Sequence, residues 1–79
     1  MDVKNMKMLA EKYSSIELLK FADDFENTGV APVKTSEDAG DQMSDYLMAA
    51  EIRSVMDNEN KTLQEALRDF SKRVRGVLT

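Results

Sequence analysis

The chain contains no cysteine, no histidine and no tryptophan, and only one proline and three glycines among its 79 residues. Without cysteine it forms no disulfide, and a zinc finger or an iron–sulfur site has no thiolate ligands. Without histidine, the Ser–His and Cys–His pairs of nucleophilic catalysis are excluded. These absences predict a protein that is not an enzyme, and we expect no cofactor and no bound metal.

Long hydrophobic runs are also missing. The longest strictly apolar run, residues 46–50, is far shorter than the about 20 residues that a membrane helix needs. Charged residues occur throughout the first twenty positions, and no apolar signal core follows them. We therefore expect a cytoplasmic protein that does not contact a membrane.

The net charge of −4 is unevenly distributed along the chain. Residues 1–22 carry four basic and three acidic side chains, residues 23–60 carry two basic and ten acidic ones, and residues 61–79 carry five basic and two acidic ones. A duplex-binding domain typically has a dominant basic face, whereas the acidic middle of this chain would repel phosphate. Nucleic acid is therefore not the expected partner.

The hydrophobic spacing predicts four helices, over residues 2–13, 15–27, 37–57 and 63–78. Two of them begin with a capping box, Ser14 to Glu17 and Thr62 to Glu65, in which each side chain accepts the other residue's backbone N–H. Gly29 is suited to the left-handed position that ends the second helix. The predicted fold is all-α, a compact four-helix bundle or orthogonal helical array in one small domain of residues 1–79.

The segment between the second and third helices is predicted to be an extended connector. Val30 and Val33 are β-branched, and Pro32 biases the residue before it toward extended backbone. We expect both valines to contact the core, and a short strand is the alternative if a partner strand is available. Thr35 or Ser36 is the expected N-cap of the third helix.

One apolar stripe of the third helix is predicted to face the core. Its members recur at helical spacing: Ala39, Met43, Tyr46, Leu47 and Ala50. Met48 lies about 100° around the helix from Leu47, so the two side chains cannot point at the same centre. The apolar residues of this helix thus exceed one core-facing stripe, which predicts an interface on it.

Three stretches of the sequence resemble those of one small bacterial protein family of about this length. They are MKMLAEKYS at residues 6–14, EDAGDQM at residues 37–43 with the alanine pair and isoleucine at 49, 50 and 52, and ALRDFSKRVR at residues 66–75. The family is associated with Bacteroidetes-type bacteria and has no established activity. The resemblance implies a stand-alone bacterial cytosolic protein, and it supplies no catalytic residues.

Carboxylates are the only abundant reactive groups, and two arrangements of them resemble sites. Asp38, Asp41 and Asp45 recur on one helix face, but such a face cannot surround calcium with six or more oxygens. We expect these three to lie on a solvated face near the positive end of the helix. Glu51, with Arg53 nearby, would act as a general acid or base only if it were partly buried, and exposure is the expectation.

The surplus of apolar side chains predicts a non-enzymatic protein–protein interaction module. Methionine-rich surfaces adapt to varied partners, and small domains often gain stability by self-association. The expected contact residues lie off the main core stripes or on the third helix: Met8, Tyr46, Met48 and Ile52. The expected partner is a second copy of the chain, forming a homodimer, or another protein.

The basic end of the chain supports an alternative, a weak nucleic-acid-binding protein. The residues that would contact phosphate or another anion are Lys61, Arg68, Lys72, Arg73 and Arg75. Most of them lie toward the negative end of the fourth helix, where they stabilise it without any ligand. Alternatively, these basic side chains form ion pairs with the carboxylates in the acidic middle of the chain and bind no ligand.

Overall fold

The computed structural model describes the backbone of residues 3–78 and the side chains of residues 3–73. It contains four helices: α1 (Val3–Lys12), α2 (Ser15–Thr28), α3 (Ala39–Glu59) and α4 (Leu63–Leu78). No strand occurs in the described part of the chain, so the predicted all-α fold of four helices is confirmed. The helix ends lie within two residues of the predicted ones, and the predicted first helical residue, Asp2, lies outside the described residues.

Local side-chain chemistry fixes the starts of α2 and α4. Ser14 Oγ accepts the backbone N–H of Glu17 at 3.1 Å, and the Glu17 carboxylate accepts the backbone N–H of Ser14 at 3.0 Å. Thr62 and Glu65 exchange the same two hydrogen bonds at the start of α4. Gly29 ends α2 with a left-handed φ of 75°. Both predicted capping boxes are confirmed, and so is the predicted position of Gly29 at the C-terminal end of α2.

The N-cap of α3 is Asp38, not Thr35 or Ser36. Asp38 Oδ1 accepts the backbone N–H of Asp41 at 2.9 Å. Thr35 and Ser36 are held elsewhere, because their backbone amides both donate to the side-chain carbonyl of Gln42. The predicted start at residue 37 is therefore two residues too early.

Helix α3 is the central element, because it packs against each of the other three helices. The buried apolar core comprises Met6, Leu9, Ala10, Leu18, Ala22, Tyr46, Ala49, Ala50, Ile52 and Ala66. The Tyr46 ring lies at its centre and contacts Phe21 and Phe25 of α2, with ring centroids 5.9 and 6.4 Å apart. Four of these ten core residues lie on α3, the largest share of any helix among the described residues.

The connector between α2 and α3, residues 29–38, forms no regular element. Val33 packs against the core as predicted, but Val30 is exposed, and the prediction for it is wrong. The backbone N–H of Val30 donates to the Thr28 hydroxyl at 3.1 Å, which keeps Val30 beside the end of α2. Side chains of α3, rather than both valines, fasten this segment to the rest of the molecule.

Candidate interaction surface

Gln42 and Tyr46 on α3 hold the connector through hydrogen bonds. The Gln42 side-chain oxygen accepts the backbone N–H groups of Thr35 and Ser36 at 2.8 and 3.3 Å. Its Nε2 donates to the Val33 carbonyl at 3.2 Å and to Thr35 Oγ1 at 2.9 Å. The Tyr46 hydroxyl donates to the Val33 carbonyl at 2.6 Å, and burial raises its pKa, so it stays a donor at neutral pH. The Gln42 amide is fully used and is not available to a ligand.

The prediction of a solvated face is wrong for Asp45. Its side chain is 1% exposed, and its Oδ2 accepts the Thr35 hydroxyl at 2.7 Å. Asp38 and Asp41 are exposed as predicted. The cause of the difference is the connector, which covers Asp45 and is tied to α1 by Asn5 Nδ2 donating to the Thr35 carbonyl at 2.9 Å. No group of three ligating side chains that could hold a metal ion occurs in the described part of the chain.

The predicted contact residues do not form an exposed surface. Tyr46 and Ile52 are fully buried in the core, so their assignment to an interface is wrong. Met8 and Met48 are half-buried and pack against that core. Leu47, placed in the core stripe by its spacing, is exposed instead. The stripe prediction fails here because three helices pack around α3, so its buried side is broader than one stripe and includes Met48 rather than Leu47.

The predicted anion-binding residues differ in their surroundings. Lys61 pairs with Asp69, which raises the pKa of the lysine and lowers that of the carboxyl group. Arg68 and Lys72 are exposed one helical turn apart, with no ion pair among the described residues. The side chain of Arg75 lies outside the described residues. Arg73 pairs with Glu51 of α3. Of the five predicted residues, only Arg68 and Lys72 are therefore seen to be available for a ligand.

Glu51 is half exposed and takes part in an ion pair between helices. Its Oε1 lies 2.8 Å from Nη1 of Arg73 on α4. Arg53 turns away from it, because Arg53 Nη1 donates to the Ala10 carbonyl of α1 at 3.0 Å and its Nε lies 3.2 Å from Asp57. Glu51 thus has the exposure expected of an ordinary surface carboxylate, not the burial that a general acid requires.

Among residues 3–73, the exposed large apolar residues are Val3, Ile16, Leu19, Val30 and Leu47. Three of these are grouped. Ile16 and Leu19 are three residues apart on α2 and so share one side of that helix, and Leu19 and Leu47 line the same groove. Grouping of this kind distinguishes them from single exposed apolar residues, which are ordinary.

This groove lies between α2 and α3, is open to solvent and has a volume of about 290 Å³. Leu19, Leu47 and Ala50 supply its apolar lining, and Ser15 and Ser54 line it as well. The start of α2 therefore lies beside the later part of α3, whereas Phe25 near the end of α2 contacts Tyr46, so the two helices run antiparallel. We call the groove and the adjoining Ile16 the α2–α3 surface.

Sequence reasoning missed both Ile16 and Leu19 as exposed apolar residues. The contacts of α2 explain both, because α2 packs mainly against one helix, α3, and buries only a narrow stripe. The angular position of Ile16 around the helix was the sequence feature that could have identified it as exposed. Ile16 lies about 200° from Leu18 around the helix, so a fully buried Leu18 places Ile16 on the opposite side.

A second groove of about 380 Å³ lies where the end of α2, the connector and the start of α3 meet. Phe25, Val30 and Gln42 are among its lining residues. Lys34 and Glu37, which also line it, pair with each other at 3.1 Å. Its polar groups are thus already satisfied, and it is a weaker candidate than the α2–α3 surface.

The chain belongs to a family of unknown function, DUF6952, whose model matches residues 1–79. No curated protein and no solved structure matches the chain. In the described part of the chain, no helix combines the length and the apolar character needed to cross a bilayer. Membership agrees with the resemblance of three stretches to a small family without established activity, and it assigns no residue a role.

Proposed function

We propose that the protein is a non-enzymatic interaction module that binds a protein partner through the α2–α3 surface. The observation that carries the proposal is the pair of exposed apolar side chains that line one groove, Leu19 and Leu47, which are 52% and 47% exposed. Ile16, which is 78% exposed, lies three residues before Leu19 on α2. Apolar side chains grouped at a groove mark binding sites more often than scattered ones do. Two of the residues expected to form an interface, Met8 and Met48, support the neighbouring core instead.

The shape of the groove suits a helical partner. Its walls are two antiparallel helices, and the lining residues Ser15, Ala50 and Ser54 are small enough to let a third helix approach closely. The lining on α3 extends from Leu47 to Ser54, which corresponds to about 10 Å at 1.5 Å per residue. About two turns of an amphipathic helix would therefore fill it, with apolar anchors one turn apart.

A matched pair of variants tests the surface. Leu19→Ser with Leu47→Ser removes two apolar side chains from it. Val3→Ser with Val30→Ser removes two exposed apolar side chains outside it, of which Val30 lines the second groove, so this control also tests that groove. We expect affinity capture from a native cell extract, followed by mass spectrometry, to recover a protein with the wild type and the control but not with the surface variant. Recovery of the same proteins with both variants would contradict the proposal.

A second copy of the chain counts as a protein partner in this test. Sedimentation of the purified wild type at ~100 µM, well above a micromolar dissociation constant, detects it. If the wild type is a dimer, the surface variant is expected to be a monomer and the control a dimer. Circular dichroism shows whether each variant keeps its helices, so a lost complex is not mistaken for lost folding.

The alternative, weak nucleic-acid binding, has one observation in its favour. Arg68 and Lys72 are exposed on α4 and have no ion pair among the described residues. Against it, Lys61 and Arg73 are held by Asp69 and Glu51. Two free cations neutralise few phosphates, which gives weak and strongly salt-dependent binding.

We further place the protein in the cytoplasm of a bacterium. The support is the resemblance of residues 6–14, 37–43 and 66–75 to a bacterial family. Fractionation of the native cells, followed by detection with an antibody, tests this placement. Recovery in the membrane fraction would contradict it.

A further inference from the structure

We infer that the occupant of the α2–α3 surface is a basic amphipathic helix of another protein. This rests on the proposed function and adds the charge of the partner helix.

One end of the groove is acidic on the α2 side. Asp23 and Glu26 follow Leu19 by four and seven residues, so they continue its strip along the helix. Both are exposed, and neither forms an ion pair among the described residues. Lys20 is the only cation on α2. It follows Ile16 by four residues and so adjoins the surface there, but it lies about 100° around the helix from Leu19. A lysine or arginine in a docked helix would meet two unpaired carboxylates there.

The α3 wall of the groove also carries an acid. Glu51 follows Leu47 by four residues and lines the groove itself. Because α2 and α3 run antiparallel, the step from Leu47 to Glu51 runs opposite to the step from Leu19 to Asp23. The Glu51 Oε1 is paired with Arg73, and its second oxygen can accept a further hydrogen bond. Carboxylates thus adjoin the apolar part of the groove on both walls, which complements a helix with apolar anchors and neighbouring basic residues.

A second copy of the chain is a poorer match to this surface. Two α2–α3 surfaces placed face to face would bring Asp23 and Glu26 of both copies toward one acidic interface, and like charges oppose association. The described side chains of the basic helix α4, residues 63–73, do not match either. Its apolar residues Ala66, Leu67 and Phe70 pack on the chain's own core, while Arg68 and Lys72 are exposed without an apolar anchor between them.

Two synthetic peptides test the inference. The first is a helical peptide of about 14 residues with leucines along one face and lysines flanking them at both ends, and the second has glutamate in place of each lysine. Fluorescence anisotropy at ~50 mM salt, where screening is modest, gives the dissociation constants. We expect wild-type protein to bind the basic peptide at least about tenfold more tightly than the acidic one.

Two pairs of charge-removing substitutions show which carboxylates cause the preference for the basic peptide. Asp23→Asn with Glu26→Gln is expected to weaken binding of the basic peptide about three- to tenfold. Glu11→Gln with Glu37→Gln changes the net charge equally at exposed positions away from the groove, and we expect it to change the affinity by less than about twofold. Equal weakening by both pairs, or equal binding of both peptides, would overturn the inference and leave the proposed function standing.

The apolar variants separate the two proposals. Leu19→Ser with Leu47→Ser should abolish binding of the basic peptide, whereas Val3→Ser with Val30→Ser should not. If the basic peptide binds the surface variant as well as it binds the wild type, the proposed function is wrong. If neither peptide binds, the inference is overturned. If in addition the wild type is a dimer that the surface variant breaks, the occupant is a second copy and the proposed function stands.

Discussion

At the scale of single residues, the two capping boxes couple the stability of the fold to pH. The backbone N–H of Ser14 donates to Glu17 and lowers the pKa of that carboxyl group, and Thr62 does the same for Glu65. Each folded-state pKa lies below the unfolded value near 4.5, so these carboxylates stabilise the fold above that value. The stabilisation is lost as the pH falls through the lowered folded-state pKa.

We therefore expect the urea midpoint of the wild type to fall between about pH 6 and about pH 3. Glu17→Gln with Glu65→Gln should lower the midpoint at neutral pH and make the fall shallower. The fall should not vanish, because the pKa of Asp69 is also lowered by its bond to Lys61. Glu11→Gln, outside both boxes, is the control and should keep the wild-type profile. If Glu17→Gln with Glu65→Gln kept the wild-type dependence of the urea midpoint on pH, the capping boxes would not couple stability to pH.

At the scale of elements, the connector depends on α3. Gln42→Met leaves the backbone N–H groups of Thr35 and Ser36 without the side-chain acceptor they now share. Unpaired polar groups cost about 1–3 kcal/mol each, so we expect the free energy of unfolding to fall by about 2–4 kcal/mol. Gln64→Met, at an exposed position of α4, should change it by less than about 0.5 kcal/mol. If urea unfolding gave the same loss of unfolding free energy for Gln42→Met and Gln64→Met, Gln42 would not fasten the connector.

Two neighbouring positions of α3 should respond differently to a charge. Met48→Glu places a carboxylate against the core and should lower the free energy of unfolding by about 2 kcal/mol. Leu47→Glu keeps its carboxylate in water and should change the free energy of unfolding by less than about 0.5 kcal/mol. Chemical denaturation of the two single variants gives both values. The reverse order would place Leu47 in the core, as its spacing predicts.

These elements also show which parts of the fold are local enough to predict from sequence. A capping box joins residues three apart, so Ser14–Glu17 and Thr62–Glu65 can be recognised without the fold. The connector contacts cannot be recognised in this way, because Asn5 and Thr35 are 30 residues apart and Gln42 looks like an ordinary surface residue. A central helix packed on several sides also lacks the polar face that makes hydrophobic spacing informative.

The candidate site was predictable only in kind. An excess of apolar residues indicates an interaction surface, but which of them stay exposed depends on how many helices pack on each element. Leu19 is exposed because α2 packs mainly against α3, and Ile52 is buried because α3 packs against three helices. The expected interface on α3 therefore moves to the side that it shares with α2, at Leu47 and Leu19.

At the scale of the whole molecule, charge decides between the two proposed functions. The net charge is −4, and residues 23–60 carry ten acidic and two basic side chains. Within the described residues, the basic side chains of Lys61 and Arg73 are paired with carboxylates of the same chain. A phosphate backbone approaching Arg68 and Lys72 would thus meet only a small positive area on an acidic protein.

We accordingly expect no specific binding of duplex DNA at physiological salt. Non-specific binding there typically has dissociation constants of ~10⁻⁴–10⁻⁶ M, and this protein should fall at the weak end or show none. Any binding at ~50 mM salt should be lost in Arg68→Gln with Lys72→Gln, because each phosphate contact contributes to the salt dependence. Glu11→Gln, which removes a negative charge elsewhere, is the control and should not weaken it. A dissociation constant below ~1 µM at ~150 mM salt, with a preference for one sequence, would instead favour the nucleic-acid function over the interaction module.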